Sequence, residues 1–181
     1  VHVDAAPGAN EIPGRLTFHT TTAGSQYATE KMRIDNAGHV TMPLQSNAGV
    51  NMTLQSNVAT TPTTLTFNSE RFDQNDDFNS TNYTFTAPVT GKYLVCVNLY
   101  MLNIDQAAEY YQLYVATSNK TYYSIFDPGG NSGDLVYWDM SWAGVVDMDA
   151  SDTCLFKINQ SGGTAQTDYS DGSYASITLL T

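Results

Sequence analysis

The residues able to do chemistry in this chain are mainly carboxylates, and they fall in two groups. Asp73-Gln-Asn-Asp76-Asp77 gathers hard oxygen donors in one short polar run, the ligand type calcium prefers. The run lacks the glycine and distal glutamate of a helix-loop-helix calcium loop. Asp73, Asp76 and Asp77 are therefore candidates for a structural calcium, with a plain polar loop as the other reading. Asp147, Asp149 and Asp152 form the second group. Paired carboxylates can hydrolyse a glycosidic bond, but this trio reads as a turn between strands, and solvated turn acids are far commoner than catalytic pairs. A Ser-His-Asp arrangement needs a histidine near the nucleophile, and His2, His19 and His39 all lie at the start of the chain. Cys96 and Cys154 are far apart with no histidine nearby, a poor zinc set. Each lies beside valine or leucine, so two buried thiols are expected in preference to a disulfide. No catalytic residue is assigned, and the protein is not expected to be an enzyme.

Composition sets the class of element that must hold these groups. The chain has 181 residues, with 18 Asp+Glu against 7 Lys+Arg and a formal charge of −11. Phosphate neutralisation needs clustered Lys and Arg, so nucleic acid is excluded as a partner. The best apolar stretch, Tyr93 to Leu102, is too short to cross a bilayer and contains Asn98, so no membrane insertion is expected. Charged residues are only 14%, and polarity comes from Thr, Ser, Asn and Gln, which favour strands and turns over helix interiors. With 12% aromatics, 12 of them Tyr, the expectation is an ordered, acidic, all-β protein. A start at Val1, without Met, suggests a fragment or a processed product.

Charge divides the chain. Residues 1–43 carry three cations against four acids, a net −1, while residues 44–181 carry four against fourteen, a net −10. In the first part, Leu16/Phe18 and Met32/Ile34 alternate with polar residues, the period of a half-buried strand, and Asn36-Ala-Gly38 signals a turn. This segment has too few apolar side chains for its own core and needs neighbours, most simply copies of itself. Met42-Pro-Leu-Gln-Ser-Asn and Met52-Thr-Leu-Gln-Ser-Asn then recur. They read either as two rungs of a fibrous connector or as coincidence, with a Thr-rich linker from Val58 to Thr64. From Leu65 onward short strands follow one another: Leu65–Asn68, Tyr83–Phe85, Lys92–Leu102, Tyr110–Thr117, Tyr122–Phe126, Val136–Val146, Thr153–Ile158 and Tyr174–Leu180. Tyr93, Val95, Val97 and Leu99 share one face of their strand, as do Tyr111, Leu113 and Val115 of theirs. Nearly every break carries Gly, Pro, Asn or Asp, the pattern of an antiparallel sandwich or jelly roll. The expected organisation is a stalk segment at 1–43, a connector at 44–64 and a head at 65–181.

Phe72-Asp73, Phe78-Asn79 and Phe85-Thr-Ala-Pro-Val-Thr-Gly-Lys-Tyr93 resemble the globular head of the complement-one-q and tumour-necrosis-factor jelly-roll superfamily. The resemblance continues through Leu113-Tyr-Val, Val145 to Cys154 and Ser176-Ile-Thr-Leu-Leu180, with Ser151 where that family usually has Gly. Gly14-Arg-Leu-Thr-Phe-His-Thr-Thr and Glu30-Lys-Met-Arg-Ile-Asp-Asn-Ala-Gly-His-Val resemble the β-stalk repeats of bacteriophage tail fibres. The two resemblances together imply a homotrimer, a three-chain intertwined β-stalk bearing a jelly-roll head. They imply a location on a virion among other virion structural proteins, with a host surface glycan or receptor as the ligand. A purely structural trimerisation cap, a capsid decoration or a secreted cellular binding protein are the alternatives. In such a trimer the outward members of the aromatic pairs fit subunit interfaces: Tyr110, Tyr123, Trp138, Trp142 and Tyr174. Loop position makes Asp73, Asp76, Asp77, Asn119, Lys120, Asn131 and Asp134 the ligand-contact candidates. Apart from a structural calcium no cofactor is expected.

Overall fold

The computed structural model describes residues 2, 3, 6, 9 and 12–181. The side chain of His2, with Asp4 and Glu11, lies outside the described residues. The chain forms two compact units, Val1–Gln45 and Ser46–Thr181.

The first unit is a four-stranded antiparallel sheet in chain order: β1 (His2–Val3), β2 (Gly14–Thr21), β3 (Ala28–Ile34) and β4 (Val40–Thr41). Asp35 shapes the β3–β4 turn by accepting the Ala37 and His39 amides on Oδ1, each at 2.9 Å, while Gly38 takes a φ of +86°. Registry sets Leu16 opposite Ile34 and Phe18 opposite Met32, with Val40 beyond Ile34. One face of the sheet is therefore apolar. That face stays open: Leu16, Phe18 and Val40 are 42%, 47% and 53% exposed, and the buried core of the described residues begins only at Ala48.

The second unit is a sandwich of two six-stranded antiparallel sheets. Its strands are β5 (Asn47–Asn51), β6 (Thr63–Thr64), β7 (Ser69–Asp73), β8 (Phe78–Asn79), β9 (Thr84–Thr86), β10 (Gly91–Ile104), β11 (Tyr110–Thr117), β12 (Thr121–Phe126), β13 (Leu135–Met148), β14 (Thr153–Ser161), β15 (Asp168–Tyr169) and β16 (Tyr174–Leu179). One sheet runs β13-β10-β16-β5-β7 with β15 on β10, and the other runs β12-β11-β14-β9-β8 with β6 on β14. Strict alternation puts Tyr93, Val95, Val97 and Leu99 of β10 against Tyr111, Leu113 and Val115 of β11, all but dry.

The Phe85–Tyr93 block closes one end of this core. Phe85 meets Tyr93 edge-on at 5.7 Å, and the Tyr93 hydroxyl donates to the Val89 carbonyl at 2.7 Å. Ala87 exchanges backbone bonds with the next turn, its amide donating to Asp152 and its carbonyl accepting from Ser151. The proline turn and the tyrosine thus form one clasp, which is why their spacing in the sequence carried a signal.

Two expectations are corrected and one open alternative is decided. The boundary lies at Gln45/Ser46, so most of the expected connector belongs to the head. Ala48, Val50, Met52 and Val58 are buried in it, β5 pairs with both β16 and β7, and the Met52, Gln55 and Val58 amides donate to Ser173, Tyr169 and Thr167. The Met42/Met52 repeat is no structural repeat, since Met42 is exposed in the first unit and Met52 is in the core. Leu65–Asn68 is not a strand. Leu65 and Phe67 are buried, but the flanking pairs form at Thr63–Thr64 and Ser69–Asp73 instead.

Candidate functional site

Asp73 and Asp77 of the Asp73–Asp77 loop are tied into hydrogen bonds. Asp73 ends β7 and accepts the Asp77 amide on Oδ1 (3.1 Å) and the Phe78 amide on Oδ2 (2.7 Å). Asp77 accepts the hydroxyl of the fully buried Ser46 at 2.6 Å. Burial pushes the Asp77 carboxyl above its ordinary range. The Ser46 bond opposes that shift, and the neighbouring charges of Asp73 and Asp76 add to it. Among the described residues no three His, Cys, Asp or Glu side chains are placed to hold a metal ion, so the expected calcium set is not assembled here.

The other acids behave alike. Asp147 pairs with Lys92 across β10 and β13. Asp152 Oδ2 accepts both the Asp149 amide (2.7 Å) and the Asn119 side-chain amide (2.6 Å), tying the turn after β13 to the turn after β11. Lys120 sits over the Tyr122 ring, 5.0 Å from its centroid. A shallow cleft of about 330 Å³ opens here, lined by Lys92, Asn119, Asp147 and Asp149. Asn131 donates to the Pro128 carbonyl, and Asp134 accepts the Gln106 amide and the Gln166 side chain, bonds that hold its carboxyl below the ordinary range. The seven loop candidates do not converge. Five belong to the end of the sandwich where Asp77, Thr86, Ala87, Asp152 and Asn119 are linked by hydrogen bonds, while Asn131 and Asp134 belong to the loop between β12 and β13.

The aromatic candidates divide among three places. Tyr174 stands on the outer face of the β13-β10-β16-β5-β7 sheet, registered between Asn98 and Asn51. The same face carries Leu94 opposite Val145, 38% and 54% exposed, and Phe72, whose ring lies over Gly49 where a Cβ would come within 2.4 Å. Its middle is a depression of about 300 Å³ among Cys96, Asn98, Ser141, Ala143 and Tyr174. Cys96 is therefore half-buried on an outer face, not a core thiol as expected, because Val95 and Val97 take the inward positions; Cys154 alone is buried, and both are free. Trp138 and Trp142 close the open side of the sandwich. Trp138 stacks on Phe126 at 4.2 Å and 15°, and Trp142 tilts onto Tyr122 at 5.2 Å, joining β13 to β12. Tyr110 and Tyr123 lie on the outer face of the opposite sheet, where Tyr123 meets Tyr114 edge-on at 5.2 Å.

Sequence reasoning missed Tyr114, Gln112 and Lys157 of that second face. The signal was there: Tyr111, Leu113 and Val115 were read as inward, which turns Tyr110, Gln112 and Tyr114 outward. A further signal is compositional. None of β6, β8, β9, β11, β12 and β14 contains an Asp or Glu, although residues 44–181 hold fourteen.

This architecture is the complement-one-q/tumour-necrosis-factor type of jelly roll, as the resemblance implied for the head. Among solved structures, the globular domain of the zebrafish complement 1qA protein is similar over 76% of this chain and 98% of that one, with a TM-score of 0.54 at 16% identity. Murine APRIL is similar over 75% of this chain and 99% of its own, with a TM-score of 0.55 at 14% identity. At these identities the likeness is one of fold. No family model matches the chain, and no curated protein does.

Proposed function

We propose that the protein is a non-catalytic, complement-one-q-like binding protein that works as a homotrimer, its heads assembled through the outer face of the β13-β10-β16-β5-β7 sheet. The observation that carries this reading is that face: Leu94, Val145, Tyr174 and Phe72 stand exposed together on a sheet whose other face is already filled by the core. Apolar surface of this kind is covered most economically by further copies, each meeting the next head-to-tail around a three-fold axis. Trimerisation would present the loops and the opposite sheet three times over, and three weak sites on one rigid body raise avidity without a deep pocket. A binding role is supported by the carboxylates that are tied up: Asp73 and Asp152 hold their turns, Asp77 accepts Ser46, Asp134 accepts Gln106, and Asp147 pairs with Lys92.

The test is the solution mass of the full chain by light scattering at neutral pH. The expected value is three chains of 19.7 kDa each. Leu94→Asp with Val145→Asp should give a folded monomer, as judged by unchanged far-ultraviolet circular dichroism. A monomeric wild type at tens of micromolar would sink the reading.

A second reading places this trimer on a phage fibre or another virion appendage, with the head meeting a host surface. It is favoured by the N-terminal sheet, whose open apolar face suits a stalk of several chains. Genes for tail or capsid proteins beside the coding sequence would support it. A secretory context would favour the cellular binding protein.

A further inference from the structure

We propose that the outer face of the β12-β11-β14 sheet is a platform for a glycan bearing carboxylated sugars, with Tyr123 and Tyr114 as its stacking surface and Lys157 as its counter-charge. The proposal rests on the trimeric head, in which assembly through one sheet leaves this other sheet turned outward.

The strand register builds the platform. Tyr123, Tyr114 and Lys157 stand directly opposite one another on three neighbouring strands, and Ile125 and Gln112 begin the next row on the same face, which ends at the buried Asn159. Adjacent strands are about 4.8 Å apart, so a row of three spans about 10 Å, the reach of two linked sugar rings. Tyr123 and Ile125 are 52% and 61% exposed, giving broad apolar surface whose ring faces can meet the C–H faces of a pyranose. The Gln112 amide has no intramolecular hydrogen-bond partner among the described residues, and it stands beside the tyrosines where sugar hydroxyls would lie.

Charge selects the ligand. The chain carries −11, yet no strand of this sheet holds a carboxylate, and the Lys157 ammonium has no carboxylate partner among the described residues. The carboxylate just before β11, Glu109, accepts the Ser161 hydroxyl at the far end of the face. The other sheet differs in kind, since Glu70, Asp73, Asp139, Asp147 and Asp168 lie on its strands. An acidic sugar is thus repelled over most of the head and met by a cation beside aromatic rings at this one face. One lysine, Lys157, is too little to hold a phosphate backbone, which leaves uronic-type sugars as the matching chemistry.

The probe is an oligogalacturonide of defined length, titrated calorimetrically into the full chain, with maltoheptaose as a neutral counterpart. The acidic oligomer is expected to bind saturably and more tightly than the neutral one. Tyr123→Ala should weaken it by about tenfold, and Lys157→Gln by about threefold with a flatter salt dependence. Both side chains reach solvent, so neither change opens the core. Tyr27→Ala, at an exposed tyrosine of the other unit, should change nothing. Absence of saturable binding overturns the proposal, as does binding indifferent to both substitutions. Equal affinity for maltoheptaose also overturns it, giving the face to neutral glycans. Light scattering on the same samples separates the two readings: a trimer that binds neither sugar defeats the platform alone, and a monomer that binds the acidic one defeats the trimer alone.

Discussion

Cys154 and Cys96 show how burial alone assigns different chemistry to the same side chain. Cys154 points from β14 into the core, where loss of water pushes its thiol from an ordinary value of 9.0 up to about 12. The Tyr169 and Tyr111 hydroxyls are also pushed upward by burial, against the Thr167 and Asp105 hydrogen bonds in the case of Tyr111. In the unfolded chain these groups ionise at ordinary values, so the folded state holds its protons to higher pH than the unfolded state does. Their contribution to stability is complete below about pH 9 and is lost as pH rises, first through Cys154 and then, above about pH 10, through the tyrosines. The urea midpoint should therefore fall steadily between pH 9 and 11, and Cys154→Val should flatten the first part of that fall. A wild-type midpoint constant to pH 11 would contradict the buried thiolate argument. Cys96, half-buried among Asn98, Ser141 and Tyr174, belongs to the outer face proposed for assembly, so a maleimide should modify it faster in the Leu94→Asp/Val145→Asp monomer than in the trimer, and spare Cys154 in both.

The N-terminal sheet is a different physical object from the head. Registry puts Leu16, Ile34, Val40, Phe18 and Met32 on one face, and none of the five is fully buried. The described residues of this unit form no dry core, and without one they cannot offset the entropy of ordering them. The segment should thus be protected from hydrogen exchange only where copies associate. Amides of Leu16–Phe18 and Met32–Ile34 are expected to gain protection as the chain is concentrated through its assembly transition, and Phe18→Ser should abolish that gain while leaving the head amides slow. Protection independent of concentration would show that the sheet stands alone. This part of the fold was legible because alternation and the Asn36-Ala-Gly38 turn are local signals. The long head strands were legible for the same reason, Tyr110–Thr117 to the residue. The segment after Gln45 was not, because Ala48, Val50, Met52 and Val58 are small or isolated apolar residues whose burial depends on β16 and the distant Thr167–Ser173 stretch. The aromatic pairs were legible as pairs only. Which sheet Tyr110 and Tyr174 would decorate depends on topology, and sequence distance does not carry that.

Assembly of three such chains would gather a formal charge of −33, almost all of it from the heads, since residues 1–43 carry only −1 each. The described ion pairs Lys92–Asp147 and Arg33–Glu30 form within one chain and lie at or near the surface, where such pairs contribute little. Long-range electrostatics therefore opposes association, and the apolar surface around Leu94, Val145, Tyr174 and Phe72 must supply the driving force. Screening then has a definite sign. The Debye length shrinks from about 30 Å at 0.01 M salt to about 10 Å at 0.1 M, so repulsion between heads is progressively screened. Sedimentation velocity should find the trimer tightening as salt rises through that range, and tightening again as pH falls toward the pI near 4.2 and carboxylates lose charge. An interface held by ion pairs between chains would behave in the opposite way, weakening with salt. Such a result would transfer the contact from the apolar sheet face to the acidic loops and their few cations, Lys92 and Lys120 first among them.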